Sequence, residues 1–158
     1  MPPPRHAGFV ELLGLEESAG PPGTYVCALT VDARHQNIQG VIHGSVLMAL
    51  LDTAMGHALS AGLRPDEFCS TTQWSVQFLK ASRPGDRLIA TGRVVQKGNR
   101  IAFLEGVCRN AAGDEVARAH GTWYVGRLDA ARAPGAAGAP PTAGTPPAGP
   151  RGGGPTAS

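Results

Sequence analysis

The residue best suited to take part in a chemical reaction is an acid inside an apolar segment. Asp52 lies within VLMALLDTAMGHAL (46–59), where Thr53 and His57 are the other polar side chains. A buried carboxylate costs free energy unless it is paired, and no Lys or Arg lies within two helical turns of it. The i+4 position is Gly56, which leaves open space beside the carboxylate. A structural acid bonded to a neighbouring strand is the alternative, but a carboxylate facing an opening favours general-base or nucleophilic chemistry.

The length and composition indicate one folded domain with a tail. The chain has 158 residues, and half of residues 131–158 are Gly or Pro. That stretch contains no large apolar side chain, so it cannot bury enough surface to offset the entropy of ordering. We expect a flexible N-terminus (1–7), a folded domain (8–128) and a disordered Gly/Pro/Ala-rich tail (129–158).

The charge balance and the hydropathy exclude several classes of protein. The 14 basic and 12 acidic residues give a net charge of +2, which argues against a general nucleic-acid binder. No apolar run approaches the roughly 18 residues of a membrane span, so we expect no membrane partner. The N-terminus has no apolar signal core before its first acids, which favours a cytoplasmic protein.

The cysteines predict neither a disulfide framework nor a metal site. Cys27, Cys69 and Cys108 are odd in number, far apart in the chain and placed in apolar segments. None of them is spaced as a metal ligand, so we expect reduced, buried thiols and no metal.

The hydrophobic periodicity predicts an α+β fold. Alternating segments predict five strands, and the segment 11–19 is a weaker strand or a short helix. A single long helical pattern runs from about 45 to 60, and it is apolar nearly all round, so it must be buried nearly all round. One curved antiparallel sheet wrapped around a central helix achieves this, and the small residues Ala117, Ala119 and Gly121 are expected to allow its close approach. The five predicted strands are 24–31, 72–78, 87–96, 100–109 and 115–125.

The motif around the acid resembles a known family. Asn37, His43-Gly44 and Asp52, followed by a strand ending in FLKASRPGD (78–86), look like the hotdog-fold acyl-CoA thioesterases of the PaaI-like branch. This branch includes phenylacetic acid degradation proteins and relatives of hydroxybenzoyl-CoA thioesterase. The resemblance covers about residues 8–126 and implies hydrolysis of an acyl-CoA without cofactor or metal. The departure is Ser45, where the family usually has a second Gly.

The resemblance also implies roles for individual residues. Asn37 and His43 would shape the loop that holds the thioester, although His43 alone would suit a capping or core histidine. Gly44 would offer its backbone N–H to the thioester oxygen, as a helix N-terminus stabilises a developing oxyanion. A Ser or Thr early in the next strand helps to position water in this family, and Thr71 or Thr72 matches that place equally well.

The separation of two of these residues predicts a dimer. Gly44 and Asp52 are eight residues apart, which is about 12 Å along a helix. An oxyanion donor and a group that delivers water must meet within a few ångströms of one carbon. Antiparallel helices of a two-fold dimer would place Gly44 of one chain opposite Asp52 of the other. The resemblance implies the same interface site, in a homodimer or a dimer of dimers.

The remaining polar residues have weaker assignments. Ser45 and Gly56 are expected to adjoin the substrate. The basic residues near turns are either solvent-exposed surface charges or a binding site for the phosphates of coenzyme A. His57 is expected to be packed or half-exposed and to point away from Asp52, and His120 to lie on the surface. The basic residues in question are Lys80, Arg83, Arg87, Lys97 and Arg100, of which Arg83, Lys97 and Arg100 are the preferred CoA ligands.

Two other functions remain open on the same fold. A non-catalytic acyl-CoA-binding module would not need Asp52 together with Asn37, His43 and Gly44. A hotdog dehydratase or hydratase would use a catalytic His in a Pro-rich strand-to-helix context, which GVIHGSVL (40–47) does not resemble.

Overall fold

The computed structural model describes residues 8–128. The expectations for residues 1–7 and for the tail, 129–158, lie outside the described residues. The elements in chain order are α1 (Gly8–Leu13), β1 (Glu16–Ala19), β2 (Thr24–Thr30), a short 3-10 helix (Ala33–His35), α2 (Gly44–Ser60), β3 (Glu67–Phe78), β4 (Arg87–Lys97), β5 (Ile101–Asn110) and β6 (Glu115–Arg127).

The sheet has six strands, all paired antiparallel, in the order β1-β2-β4-β5-β6-β3. The short strand β1 and the long strand β3 therefore form its two edges. The α+β prediction of one antiparallel sheet around one long helix is confirmed.

The predicted elements differ from the observed ones in two places. The ambiguous segment 11–19 divides into the end of α1 and the strand β1, because Gly14 between them adopts a φ of 70°, which breaks the helix. Strand β3 begins at Glu67, five residues before the predicted start, since its first residues pair with the end of β6. That long-range pairing leaves no mark in the local alternation.

Helix α2 lies inside the curved sheet and forms the centre of the core. Leu50, Leu51, Ala54 and Met55 are completely buried. The closest backbone approach is at Gly92 on β4, where an added Cβ would lie 2.3 Å from the carbonyl carbon of Ala54. The sheet thus touches the helix through glycine, where a side chain would hold the two apart.

The prediction that small residues of β6 allow this approach is wrong for Gly121. Gly121 is crowded by Trp74 and by the Gln73 carbonyl oxygen of the neighbouring strand β3, not by the helix. The close contacts fall instead on β4 and β5, at Gly92 and Gly106, because these strands cross the middle of α2.

One strip of α2 is left half-buried, and it lies in the gap between the two edge strands. Asp52, Gly56 and His57 occupy this strip. Contacts to Glu17 on β1 and to Thr71 on β3 bound it on either side. Among the helices formed by residues 8–128, none is long and apolar enough to cross a membrane.

Candidate active site

The Asp52 carboxylate is joined to the edge strand by one hydrogen bond. Thr71 donates from Oγ1 to Asp52 Oδ1 over 3.1 Å. The Asp52 side chain is half-buried, and within residues 8–128 no Lys or Arg forms an ion pair with it. The acid is therefore partly desolvated and remains available as a base, since a single hydroxyl leaves most of its lone pairs free.

The two adjacent threonines on β3 have different partners. Thr72 donates from Oγ1 to the carbonyl oxygen of Thr122 over 2.7 Å, and it does not contact Asp52. A shift in the β3–β6 register between Thr71 and Gln73 accompanies this difference. Of the two equally matched candidates, the structure brings only Thr71 to the acid.

An open cavity of about 350 Å³ lies beside Asp52. Gly56 borders it, and a Cβ built on Gly56 would meet no atom within 4 Å, so the predicted space next to the carboxylate is present. Ser60 at the end of α2 and Cys69 on β3 also line the cavity, and their Oγ and Sγ atoms are 3.3 Å apart. The cavity is large enough for a small organic group next to the acid.

His57 lines the same cavity, which differs from the expectation that it points away from Asp52. Five residues turn an α-helix by about 140°, but the gap between β1 and β3 is wide enough to reach both side chains. His57 is half-exposed, as expected, and its Nδ1 lies 2.6 Å from Oε1 of Glu17, whose side chain is 3% exposed. Glu17 was missed at the sequence level because it lies in the ambiguous segment 11–19.

The aromatic ring of Tyr25 completes this cluster. It packs edge-on against the His57 imidazole, with ring centroids 5.0 Å apart. Burial raises the pKa of Tyr25, and the negative charge of Glu17 raises it further. Tyr25 therefore stays a neutral phenol in the physiological range.

The N-terminus of α2 carries a free backbone donor. His43 is the N-cap, and its Nδ1 accepts from the backbone N–H of Ser45 over 3.1 Å and contacts Ser45 Oγ at 2.8 Å. The capping interpretation of His43 thus agrees with the structure. Within the described part of the chain the Gly44 N–H donates to no other group, which leaves it available to a ligand.

Gly44 is covered by an aromatic ring. A Cβ built on Gly44 would lie 3.2 Å from two atoms of the Phe78 ring. Gly44 and Phe78 border a second cavity, of about 290 Å³, which shares no lining residue with the Asp52 cavity. A single chain therefore does not bring Gly44 and Asp52 to one point.

The loop before α2 is shaped by Asn37. Its Oδ1 accepts from the N–H of Gln39 over 2.9 Å and from that of Val41 over 3.4 Å. The His43 N–H donates to the carbonyl oxygen of His35 over 2.8 Å, and His35 is buried. These bonds fix the path of the chain into α2, and the Asp32-x-x-His35 capping box was the unused sequence signal.

The basic residues divide between two ends of the sheet. Lys97 and Arg100 border a cleft of about 500 Å³ together with Arg64 and Arg127. Arg83 lies on the turn before β4, at the opposite end of that 11-residue strand. The structure thus groups two of the three preferred CoA ligands and separates the third.

Several of these basic side chains already have partners. Lys97 lies 3.5 Å from Glu67, and Arg100 donates to the hydroxyl of Tyr124 over 2.9 Å. Lys80 pairs with Asp114 and Arg87 with Glu16, so these two basic side chains form ion pairs within the protein surface. His120 is exposed, as predicted.

The three cysteines are free thiols with different surroundings. Cys27 and Cys108 are buried, and burial raises the pKa of each thiol to about 12. Cys69 is partly exposed at the Asp52 cavity. The part of the chain that the structure describes contains no group of three or more His, Cys, Asp or Glu arranged to hold a metal.

Comparison with known proteins identifies the family of the chain. The family model described as "Thioesterase superfamily" matches residues 39–117. The esterase-like protein PA0474 of Pseudomonas aeruginosa is 33% identical over 101 residues, which are 63% of this chain and 74% of that protein. Human acyl-coenzyme A thioesterase 13 is 24% identical over 106 residues, which are 66% of this chain and 75% of that protein.

Solved structures show the same fold. A mutant of the phenylacetic acid degradation protein PaaI from Thermus thermophilus superposes with a TM-score of 0.68 at 28% identity, over 77% of this chain and all of that one. The thioesterase HI1161 from Haemophilus influenzae gives 0.71 at 25% identity, over 76% and 83% of the two chains. The chain therefore belongs to the thioesterase superfamily, as a PaaI-like hotdog protein whose chemistry is thioester hydrolysis.

Proposed function

We propose that the chain hydrolyses acyl-CoA thioesters to a free acid and CoA, at a site formed by two copies of the chain. The observation that carries this proposal is the Asp52 carboxylate, which forms no ion pair within residues 8–128 and is held by Thr71 beside an open cavity. The name of the relative acyl-coenzyme A thioesterase 13 supports CoA as the carrier of the acyl group.

Asp52 serves as the general base in this proposal. Thr71 occupies Oδ1, so Oδ2 accepts a proton from a water molecule as its oxygen attacks the thioester carbon. The developing oxyanion accepts a hydrogen bond from the Gly44 N–H, which the positive end of the helix dipole strengthens. The intermediate then expels CoA as the thiolate, which takes up the proton.

Nucleophilic attack by Asp52 itself is the second route. It would form an anhydride between Asp52 and the acyl group, which water then hydrolyses. Label found in Asp52 after a single turnover in ¹⁸O-labelled water would establish the anhydride route, because water can place its oxygen in Asp52 only by attacking the Asp52 carbon of the anhydride.

The dimer is supported by the edge strand β3. This strand has 12 residues, and its outer edge has no strand partner within residues 8–128. Long unpaired edges invite a second strand, and Phe78 and Leu79 at its end are about half exposed. Antiparallel pairing of two β3 edges about a two-fold axis brings the second α2 alongside the first. That arrangement places Gly44 of one copy near Asp52 of the other, with a dimer of dimers as a further step.

The cationic cleft at the end of β3 suits the phosphates of CoA. Lys97, Arg100 and Arg127 supply positive charge around it. Glu67 in this cleft is four residues from Thr71 on the same strand, a distance of about 13 Å that an extended pantetheine arm can bridge. Arg83 precedes β4, whereas Lys97 ends it, so Arg83 does not belong to this cleft. The free cysteines are consistent with a reducing, cytoplasmic compartment.

A panel of acyl-CoAs tests the proposal directly. Loss of the thioester absorbance is the preferred readout, because the partly exposed Cys69 would react with a thiol reagent. We expect the wild-type protein to hydrolyse at least one member and Asp52→Asn to reduce its turnover by roughly a hundredfold or more. Tight binding without hydrolysis in the wild type would favour the binding module instead, and addition of water to an enoyl-CoA would favour the hydratase.

A further inference from the structure

The proposed oxyanion site depends on the peptide that joins His43 to Gly44. Its N–H belongs to Gly44 and donates to no group within residues 8–128, whereas its carbonyl oxygen accepts from the N–H of Val46 over 3.0 Å. In a trans peptide the N–H and the C=O point in opposite directions. The direction of the free donor is therefore set by the groups that hold His43.

The helix α2 supplies two of the residues that hold His43. The Val46 N–H bonds its carbonyl oxygen, and the Ser45 N–H bonds its ring at Nδ1 over 3.1 Å. A further bond comes from outside the helix, because the His43 N–H donates to the carbonyl oxygen of His35 over 2.8 Å. His35 thus ties the start of α2 to the preceding segment, directly before the free donor.

The backbone of His35 is itself held by a capping box. His35 is the last residue of the short 3-10 helix, and its ring Nδ1 accepts from the N–H of Asp32 over 3.0 Å. The Asp32 carboxylate is the N-cap and accepts from the N–H of Arg34 over 2.8 Å. The His35 residue is only 7% exposed. Its buried ring therefore fixes the segment whose carbonyl oxygen receives the His43 N–H.

The ring of His35 acts as an acceptor in this capping box. A backbone N–H only donates, so the Nδ1 atom that receives it carries no hydrogen, and the hydrogen of the neutral ring lies on Nε2. Asp32 Oδ1 lies 3.2 Å from the same nitrogen, but it accepts from Arg34. Hydrogen bonds from Arg34 hold the pKa of Asp32 at about 2, so the cap remains an ionised acceptor. An apolar side chain in place of His35 would leave the Asp32 N–H without this acceptor.

The bond between His43 and His35 also closes the loop before α2. Gln36 and Ile42 form an antiparallel bridge one residue further from the helix. The Ile42 N–H donates to the carbonyl oxygen of Ser82 over 2.9 Å, so the bridge has support of its own. Loss of the His35 capping bond should therefore loosen the helix end of the loop, next to the free donor, and leave the rest in place.

We propose that His35 is a positioning residue for the Gly44 N–H, and that its ring aligns this donor in advance for the developing oxyanion. This inference rests on the proposed function, to which it adds a residue outside the motif. His35 does not touch the substrate and acts through the backbone of His43. A donor that is already aligned stabilises the transition state without a cost of reorganisation.

Substitution of His35 should lower kcat with little change in KM. His35→Leu fills the buried space but has no acceptor, so the donor should lose its alignment. We expect kcat to fall by about five- to fiftyfold and KM to change by less than about twofold, because the donor acts on charge that develops in the transition state. His35→Asn places an oxygen near the position of Nδ1 and should restore kcat to within about threefold of the wild type.

A matched variant and two measurements without substrate separate alignment from stability. Leu104→Val lowers stability from the core of β5, where Leu104 is buried, and should leave kcat unchanged. Hydrogen exchange of the His43 amide should become about tenfold faster or more in His35→Leu and return towards the wild-type rate in His35→Asn. In the wild-type protein the ring ¹⁵N shifts of His35 at pH 8 should place the hydrogen on Nε2.

The outcomes distinguish this inference from the proposed function. A kcat of His35→Leu within about twofold of the wild type, a loss that His35→Asn does not restore, an unchanged His43 exchange rate, or a hydrogen on Nδ1 overturns the inference alone. Failure of both His35→Leu and His35→Ala to fold also overturns it, since His35 would then be needed for folding. If no acyl-CoA is hydrolysed, the proposed function fails, and the exchange rate and the ring shifts still decide whether His35 aligns the donor.

Discussion

Thr71 and Asp52 meet at 3.1 Å although 19 residues separate them in the chain. The bond joins the central helix α2 to the edge strand β3, and it lies at the mouth of an open cavity. A hydroxyl that donates to one carboxylate oxygen fixes the orientation of the other oxygen. In the proposed reaction this pair orients the base towards the attacking water, at the edge where a second copy would pair.

The two neighbouring threonines should give opposite results on substitution. Thr71→Val removes the bond to Asp52, so kcat should fall roughly tenfold or more with little change in KM. Thr72→Val removes a bond to the Thr122 carbonyl, so it should cost about 1 kcal/mol of stability and leave kcat nearly unchanged. Steady-state kinetics and thermal unfolding of both variants provide the measurement, and equal losses of kcat would contradict the assignment.

The cationic cleft should act on binding and not on turnover. The double variant Lys97→Ala/Arg100→Ala should raise KM for an acyl-CoA about tenfold at low salt, because two phosphate contacts are lost. The effect should shrink as ionic strength rises, since salt screens exposed charges. Arg93→Ala is the matched control, because Arg93 pairs with Glu105 away from the cleft. A KM that is insensitive to Lys97 and Arg100 would place the phosphates elsewhere.

The elements predicted most accurately were those whose signal is local. The helix predicted at 45–60 is observed as Gly44–Ser60, because its apolar pattern and its N-terminal glycine both lie within the segment itself. The start of β3 at Glu67 could not be predicted in the same way, since it depends on pairing with Arg127 across the sheet. Contacts between distant segments decide such boundaries, and a single sequence does not show them.

The candidate site shows the same division between local features, which the sequence predicts, and tertiary contacts, which it does not. Asp52, Gly44 and the loop of Asn37 belong to one contiguous motif, and the predicted helix does begin at Gly44 and contain Asp52. The choice between Thr71 and Thr72 depended on a register shift, and the contact of His57 with Glu17 depended on where β1 lies relative to α2. Both are tertiary facts, so the motif located the acid but not all the groups around it.

The three thiols should differ in their reaction with iodoacetamide. The thiolate is the reactive form, and a pKa of about 12 keeps Cys27 and Cys108 protonated at pH 8. Cys69 is partly exposed, so native protein should take up one label among the described residues, and unfolded protein three. Peptide mass spectrometry identifies the sites. Rapid labelling of Cys27 or Cys108 in the native protein would contradict the packed core.

Two glycines should respond to alanine in opposite directions. Gly92→Ala places a Cβ 2.3 Å from the Ala54 carbonyl carbon, so the helix must move, and stability should fall by about 3 kcal/mol or more. Gly56→Ala fills open space within a helix and should raise stability by about 0.5–1 kcal/mol. Urea unfolding measures both, and a neutral Gly92→Ala would show that α2 does not touch β4 there.

The shared site can be tested by mixing two inactive proteins. Asp52→Asn removes the base, and Gly44→Leu displaces Phe78 and blocks the approach to the free N–H, so each homodimer should be inactive. A mixed dimer has one site with an intact Gly44 from one chain and an intact Asp52 from the other. Random assortment makes about half of the dimers mixed, with one good site of two, so about a quarter of wild-type turnover should return. Native mass spectrometry confirms that mixed dimers form. An absence of activity in their presence would show that Gly44 and Asp52 act within one chain or that one of them has no catalytic role.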